Sequence, residues 1–182
     1  VIGIEDQWTK QVVDGIATRR RVIVFDNRGV GASDGTTPTS VEAMAQDAVA
    51  FIQALGAAPV DLLGLSLGGF IAQVIAQEAP HLVRKIILAG TGPAGGTGID
   101  EVPSVTIRDM AKGALTLRHP EYYLFFTETR NGRNAARDFL ARLNERTDNR
   151  DKPVSIASFI AQLKAVRAWG RQRPADLSRI HH

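Results

Sequence analysis

The 182-residue chain contains no cysteine. That excludes a disulfide framework, a thiolate metal site and a cysteine nucleophile. It fits a reducing compartment, so a cytoplasmic location is the expectation. Histidine is sparse: His81, His119, His181 and His182 are the complete set. They show no His-x-x-x-His spacing and no carboxylate cluster beside them, so neither metal nor other cofactor is expected. Aromatics make up 6% of the residues, too few to form a stacking ladder for nucleic acid. No uncharged apolar run reaches the ~20 residues of a membrane span. The stretch after Val1 has early acidic residues and no charged-then-apolar leader pattern. Repeats and low-complexity tracts are absent as well.

What is present is an ordinary globular mixture, 44% hydrophobic and 23% charged, enough for one domain with a sizeable core. The net charge of +3 is unevenly placed: residues 1–100 carry 7 basic and 10 acidic side chains, and residues 101–182 carry 15 and 9. A basic second part could attract an anionic partner. Its arginines alternate with acids, however, as in Arg137-Asp138 and Arg150-Asp151. That pattern reads as a solvated helical face, with neither nucleic acid nor membrane as partner.

Residues 21–25 (RVIVF) form a β-branched run that predicts a buried strand, followed by the loop DNRGVGASDG at 26–35. Thr39 or Ser40 can cap a helix whose apolar positions Val41, Met44, Ala45, Ala48, Phe51, Ile52 and Leu55 recur at helical spacing, with Gly56 as its stop. Residues 60–65 predict a second strand, 67–78 a second helix and 85–89 a third strand. Alternating strands and helices with near-continuously apolar strands predict an α/β fold, a mostly parallel sheet flanked by helices. From Ile99 to about Gly170 only helical patterns occur, including an aromatic cluster at Tyr122, Tyr123, Phe125 and Phe126. The expected organisation is a core at 1–96, an all-helical cap at 97–170 over the carboxyl ends of the strands, and a return toward the core at 171–182. The aromatics read as cap packing first and cleft lining second.

The stretch Gly64-Leu65-Ser66-Leu67-Gly68-Gly69 lies at the second strand-to-helix junction. G-x-S-x-G in that context is a nucleophile elbow. A sharp turn lifts the Ser66 hydroxyl clear of the sheet, and Gly64 and Gly68 remove side chains that would collide with the strand and helix. The helix N-terminus then offers free N–H groups beside Ser66, and the Leu67 N–H could hold the oxyanion of a tetrahedral intermediate. The plainer alternative is a glycine-rich turn with an incidental serine. A second glycine motif, Gly90-Thr91-Gly92-Pro93-Ala94-Gly95, has the form G-x-G-x-x-G. Pro93 and the glycines after it keep it from opening into a helix, and no acid-terminated strand follows. It therefore reads as a hinge rather than a dinucleotide site.

VIVFDNRGVGAS at 22–33, DLLGLSLGGFIAQ at 61–73, and the spacing Pro80, Val83, Ile86, Ile87, Leu88 together resemble the α/β-hydrolase superfamily. The likeness is to its small, capped, cofactor-independent members. Gly3-x-x-Asp6-x-Trp8 is similar to the stretch just past that family's first oxyanion loop. The resemblance implies Ser66 as nucleophile, Leu67 as one oxyanion donor and a second donor around Val1 and Ile2. It also implies a mainly architectural role for Asp26, Arg28 and Ser33.

A serine hydroxyl needs a general base, usually a histidine oriented by an acid. In this superfamily the acid and then the histidine follow the serine. His81 reads as a surface residue. His119 could line the cleft, with Asp100 or Glu101 to orient it. The pair His181-His182 reads as a lead-in to a later strand, or else as a tag remnant. The expectation is thus a fragment whose acid- and base-bearing strands lie beyond residue 182, inactive by itself. The expected function is a serine hydrolase acting on a small-molecule ester or similar acyl substrate through an acyl-enzyme. The alternatives are a non-catalytic small-ligand binder on this fold and a cofactor-free haloperoxidase or perhydrolase. Serine at the elbow argues against dehalogenase or epoxide hydrolase chemistry. The oligomeric state is open.

Overall fold

The structure, a computed structural model, describes residues 10–143 and 152–181. The chain divides into two compact units, Val1–Asp100 with Asp151–His182, and Glu101–Arg150.

The first described element of this unit is a short helix, α1 (Lys10–Ala17). Helix α2 (Val41–Leu55) starts at Ser40, whose hydroxyl accepts the Ala43 N–H at 3.3 Å, and stops at Gly56 in the left-handed region with φ 61°. Strand β1 (Val60–Leu65) leads into α3 (Leu67–Glu78), the elbow helix, over the predicted residues. Strand β2 (Val83–Ala89) pairs with β1 in parallel, with Leu62 opposite Ile86 and Leu65 opposite Ala89. Helix α3 is buried nearly all round because it packs on both strands and on α2. Ile71, Ala72 and Ile75 are wholly buried there against Met44 and Ala48 of α2.

Two expectations are corrected in this unit. Residues 21–25 do not form a strand: Phe25 alone makes a β-bridge. The physical reason is that no strand lies between this run and β1 among the described residues. An apolar groove of about 450 Å³ separates them, lined by Val22, Phe25, Phe51, Leu62 and Ile87 among others. Phe25 instead stacks on Phe51 of α2, with centroids 4.3 Å apart.

The second correction concerns the last helix. This helix, Ile156–Gly170, labelled α7 because three helices of the other unit precede it, was expected in the cap. It belongs to the first unit and closes the core. Trp169 stacks on Phe70 with centroids 5.3 Å apart, and Ala165 is wholly buried. The small residues at 161 and 165 let the helix approach closely, and the Trp169 indole, 3% exposed, packs its large apolar face into the core. The Ser158 hydroxyl further ties α7 to the 26–35 loop by donating to the Gly29 carbonyl at 2.7 Å.

The second unit contains α4 (Val102–Thr116), α5 (Glu121–Leu124) and α6 (Arg130–Leu143). The aromatic cluster packs within it. Tyr122 and Tyr123 meet edge to face, and Phe125 and Phe126 both rest on Phe139.

Candidate functional site

Strand β1 delivers Ser66 to the point where the chain turns into α3. Its backbone is at φ 49°, ψ −117°, a region that non-glycine residues rarely occupy and that costs on the order of 1–3 kcal/mol. The surroundings hold it there. The Ser66 N–H donates to the Ala89 carbonyl at the end of β2 at 3.0 Å. The Ser66 carbonyl accepts the Gly69 N–H at 2.9 Å. The side chain is exposed, and its hydroxyl makes no hydrogen bond among the described residues. The adjoining Leu67 N–H, first in the helix, also has no partner among them, as helix geometry dictates for an opening amide.

The neighbouring glycines are required by contact. A Cβ on Gly64 would lie 2.5 Å from the Gly68 carbonyl oxygen and 2.7 Å from Gly69 Cα. A Cβ on Gly69 would lie 2.5 Å from Thr91 Cγ2. The strand, the helix and the loop after β2 therefore meet too closely for any side chain at these positions.

That loop is the part of the site the sequence reading described differently. Residues 90–98, which the sequence reads as a hinge, are hydrogen-bonded to the core at Gly92 and Gly95. Gln73 Nε2, on the elbow helix and 2% exposed, donates to the Gly92 carbonyl at 3.0 Å and to the Gly69 carbonyl at 3.0 Å. Trp169 Nε1 donates to the same Gly92 carbonyl at 3.3 Å. The Gly95 N–H reaches back to the Trp169 carbonyl at 3.0 Å. A polar glutamine inside an otherwise apolar helix face was the available signal for this anchor.

The loop at 26–35 is architectural in its contacts. Asp26 Oδ2 accepts the Ala32 N–H at 2.9 Å, and the Ser33 hydroxyl donates to the Asp26 carbonyl at 2.8 Å. Arg28 pairs with Asp47 of α2 at 2.8 Å.

Among the described residues, no histidine is hydrogen-bonded to Ser66. His81 is exposed in a turn at the end of α3. His119 Nδ1 lies 3.6 Å from Glu121 Oε2, its own close neighbour in sequence, while Asp100 lies 4.0 Å from Arg171. Burial raises the Glu121 carboxyl above its ordinary value, and nearby His119 offsets this in part. His181 is exposed. Val1, Ile2 and His182 lie outside the described residues, as do Gly3, Asp6 and Trp8. Among the described residues, no group of three potential ligands could hold a metal ion. No helix among them is long and apolar enough to cross a membrane.

A parallel strand pair, a strained serine at the strand-to-helix turn and a helix pressed onto the sheet through glycines define the class. The family described as alpha/beta hydrolase fold matches residues 2–175, and the chain belongs to it. A solved structure described as an alpha/beta hydrolase fold protein from Chitinophaga pinensis is 39% identical with a TM-score of 0.87, covering 96% of this chain and 62% of that one. A Mycobacterium tuberculosis protein named as a non-heme bromoperoxidase, BpoC, is 40% identical over 81 residues, 44% of this chain and 31% of its own length. The mouse protein named sn-1-specific diacylglycerol lipase ABHD11 is 36% identical over 80 residues, 44% of this chain and 26% of its own length. The matched stretches thus span about a third or less of the curated relatives.

Proposed function

We propose that the protein is a serine hydrolase acting on a carboxylic ester or similar acyl substrate, with Ser66 as nucleophile. The observation that carries this reading is the conformation of Ser66: a non-glycine residue at φ 49° with an exposed hydroxyl. Strain of this kind persists where the surrounding structure enforces it, and a turn with no chemical task would accommodate glycine at lower cost.

In the proposed reaction Ser66 Oγ attacks the carbonyl carbon, and the developing oxyanion takes a hydrogen bond from the Leu67 N–H. The second donor is assigned to the region of Val1 and Ile2. The C–O bond to the leaving alcohol then breaks, and water releases the acid from the acyl-enzyme. The proton of Ser66 passes to a histidine oriented by an acid. The second unit, Glu101–Arg150, serves in this reading as the cap.

Labelling with a fluorophosphonate tests the reading. The complete natural protein is expected to take the probe at Ser66. Ser66→Ala is expected to lose labelling and to lower ester hydrolysis by about three orders of magnitude or more. Absence of labelling in the wild type would favour a non-catalytic ligand-binding protein instead. A second reading, cofactor-free haloperoxidase or perhydrolase activity on the same serine, draws support from the name of the Mycobacterium tuberculosis relative. Halogenation dependent on bromide and peroxide, measured beside ester hydrolysis, separates it from the first.

A further inference from the structure

The peptide between Ser66 and Leu67 has two ends that matter. Its N–H is the oxyanion donor in the reading above, and its C=O is the Ser66 carbonyl. A trans peptide is planar, so fixing the direction of one end fixes the other, which points the opposite way. Three donors converge on that carbonyl: the Gly69 N–H at 2.9 Å, the Phe70 N–H at 3.3 Å and the Thr91 hydroxyl at 2.9 Å. The first two come with the opening turn of α3. The third crosses from the loop after β2, 25 residues along the chain.

Thr91 is itself held. Its methyl and Cβ fill the space above Gly69 where a side chain would otherwise stand. The next residue, Gly92, is anchored by two donors, Gln73 Nε2 and Trp169 Nε1. On the other side of Ser66, the amide is fixed to the Ala89 carbonyl. Two residues apart on the same segment, Ala89 and Thr91 thus grip the peptide units before and after the strained serine.

We propose that Thr91 is a positioning residue for the oxyanion donor. Resting on the reading of Ser66 as nucleophile, the proposal is that the Thr91 hydroxyl locks the Ser66–Leu67 peptide plane. The Leu67 N–H is thereby aimed into the open space beside Ser66 Oγ. The hydrogen bond to the carbonyl also polarises the peptide and makes its N–H a better donor. The contribution is needed most in the transition state, when charge gathers on the substrate oxygen, so it affects the rate of the chemical step more than binding.

The experiment is fluorophosphonate labelling of the complete natural protein, read as a maximal rate and a half-saturating probe concentration. Thr91→Val keeps the shape above Gly69 and removes the hydroxyl. It is expected to lower the maximal rate about three- to tenfold, the effect of losing one hydrogen bond, with little change in half-saturation. Thr91→Ser keeps the hydroxyl and is expected to restore most of the rate. Should Thr91→Val fail to fold, Thr91→Ala is read against Thr91→Ser in its place. Equal maximal rates in wild type and the hydroxyl-free variant overturn the proposal, as does a Thr91→Ser rate as low as that variant's. A wild type that takes no probe overturns the nucleophile reading itself, an outcome distinct from either.

Discussion

Two residues illustrate how local cost is placed where it is useful or tolerated. Ser66 occupies a strained backbone conformation with its amide bonded to β2 and its carbonyl to the start of α3, so the strain is offset by hydrogen bonds on both sides. Glu121 carries a cost of another kind. Burial raises its carboxyl above the ordinary 4.5, since the charged form loses solvation, and the His119 imidazole 3.6 Å away offsets this only partly. The folded state therefore favours the protonated form. Its contribution is fully present below the ordinary value and is lost as pH rises through the raised folded value. Glu121→Gln removes this dependence. The melting temperature of the variant relative to wild type is expected to increase as pH rises from acid to neutral. A difference independent of pH would show that the carboxyl is not the cause.

At the scale of elements, α7 matters most. It comes from the far end of the chain, yet its Trp169 closes the core against Phe70 and holds the loop after β2 through Gly92. One side chain thus links packing to the geometry of the site. Trp169→Ala is expected to cost about 3–5 kcal/mol in urea unfolding. Trp169→Phe keeps the ring against Phe70 and loses the N–H bond, for about 1 kcal/mol. A cost near zero for the alanine variant would place α7 outside the core. The sequence shows helical patterns up to about Gly170, with apolar positions at Ile156, Phe159, Ile160, Leu163 and Val166. It could not show which body that helix joins, because an apolar stripe specifies burial without specifying the partner.

For the molecule as a whole, the two-stranded sheet has consequences for association. Both strands present an open edge among the described residues, and Ile87 and Leu88 of β2 are 57% and 43% exposed. Open edges beside exposed aliphatic residues are templates for pairing with another chain. The 182-residue chain is expected to associate as its concentration rises, measured by light scattering after size exclusion. Ile87→Lys is expected to shift it toward monomer. A wild-type chain that stays monomeric up to about millimolar concentration would contradict this reading of the edge.

Several features were legible from residues alone because they depend on neighbours close in sequence. The cap at Ser40, the stop at Gly56, the span of α3 and the glycine-flanked serine all follow from local backbone chemistry. Membership of the alpha/beta hydrolase fold was readable for the same reason, since its most specific motifs are short turns. The rest required tertiary structure. The run at 21–25 has the composition of a strand but no adjacent strand among the described residues, and a ladder needs two. The anchoring of Thr91, Gly92, Gln73 and Trp169 joins residues up to 77 apart in sequence; the buried glutamine signals a partner, but no local pattern says which residue it is. Side-chain type and spacing determined the turn that presents Ser66. The packing of β2, α3 and α7 decided how firmly that turn is held, because rigidity comes from long-range contacts.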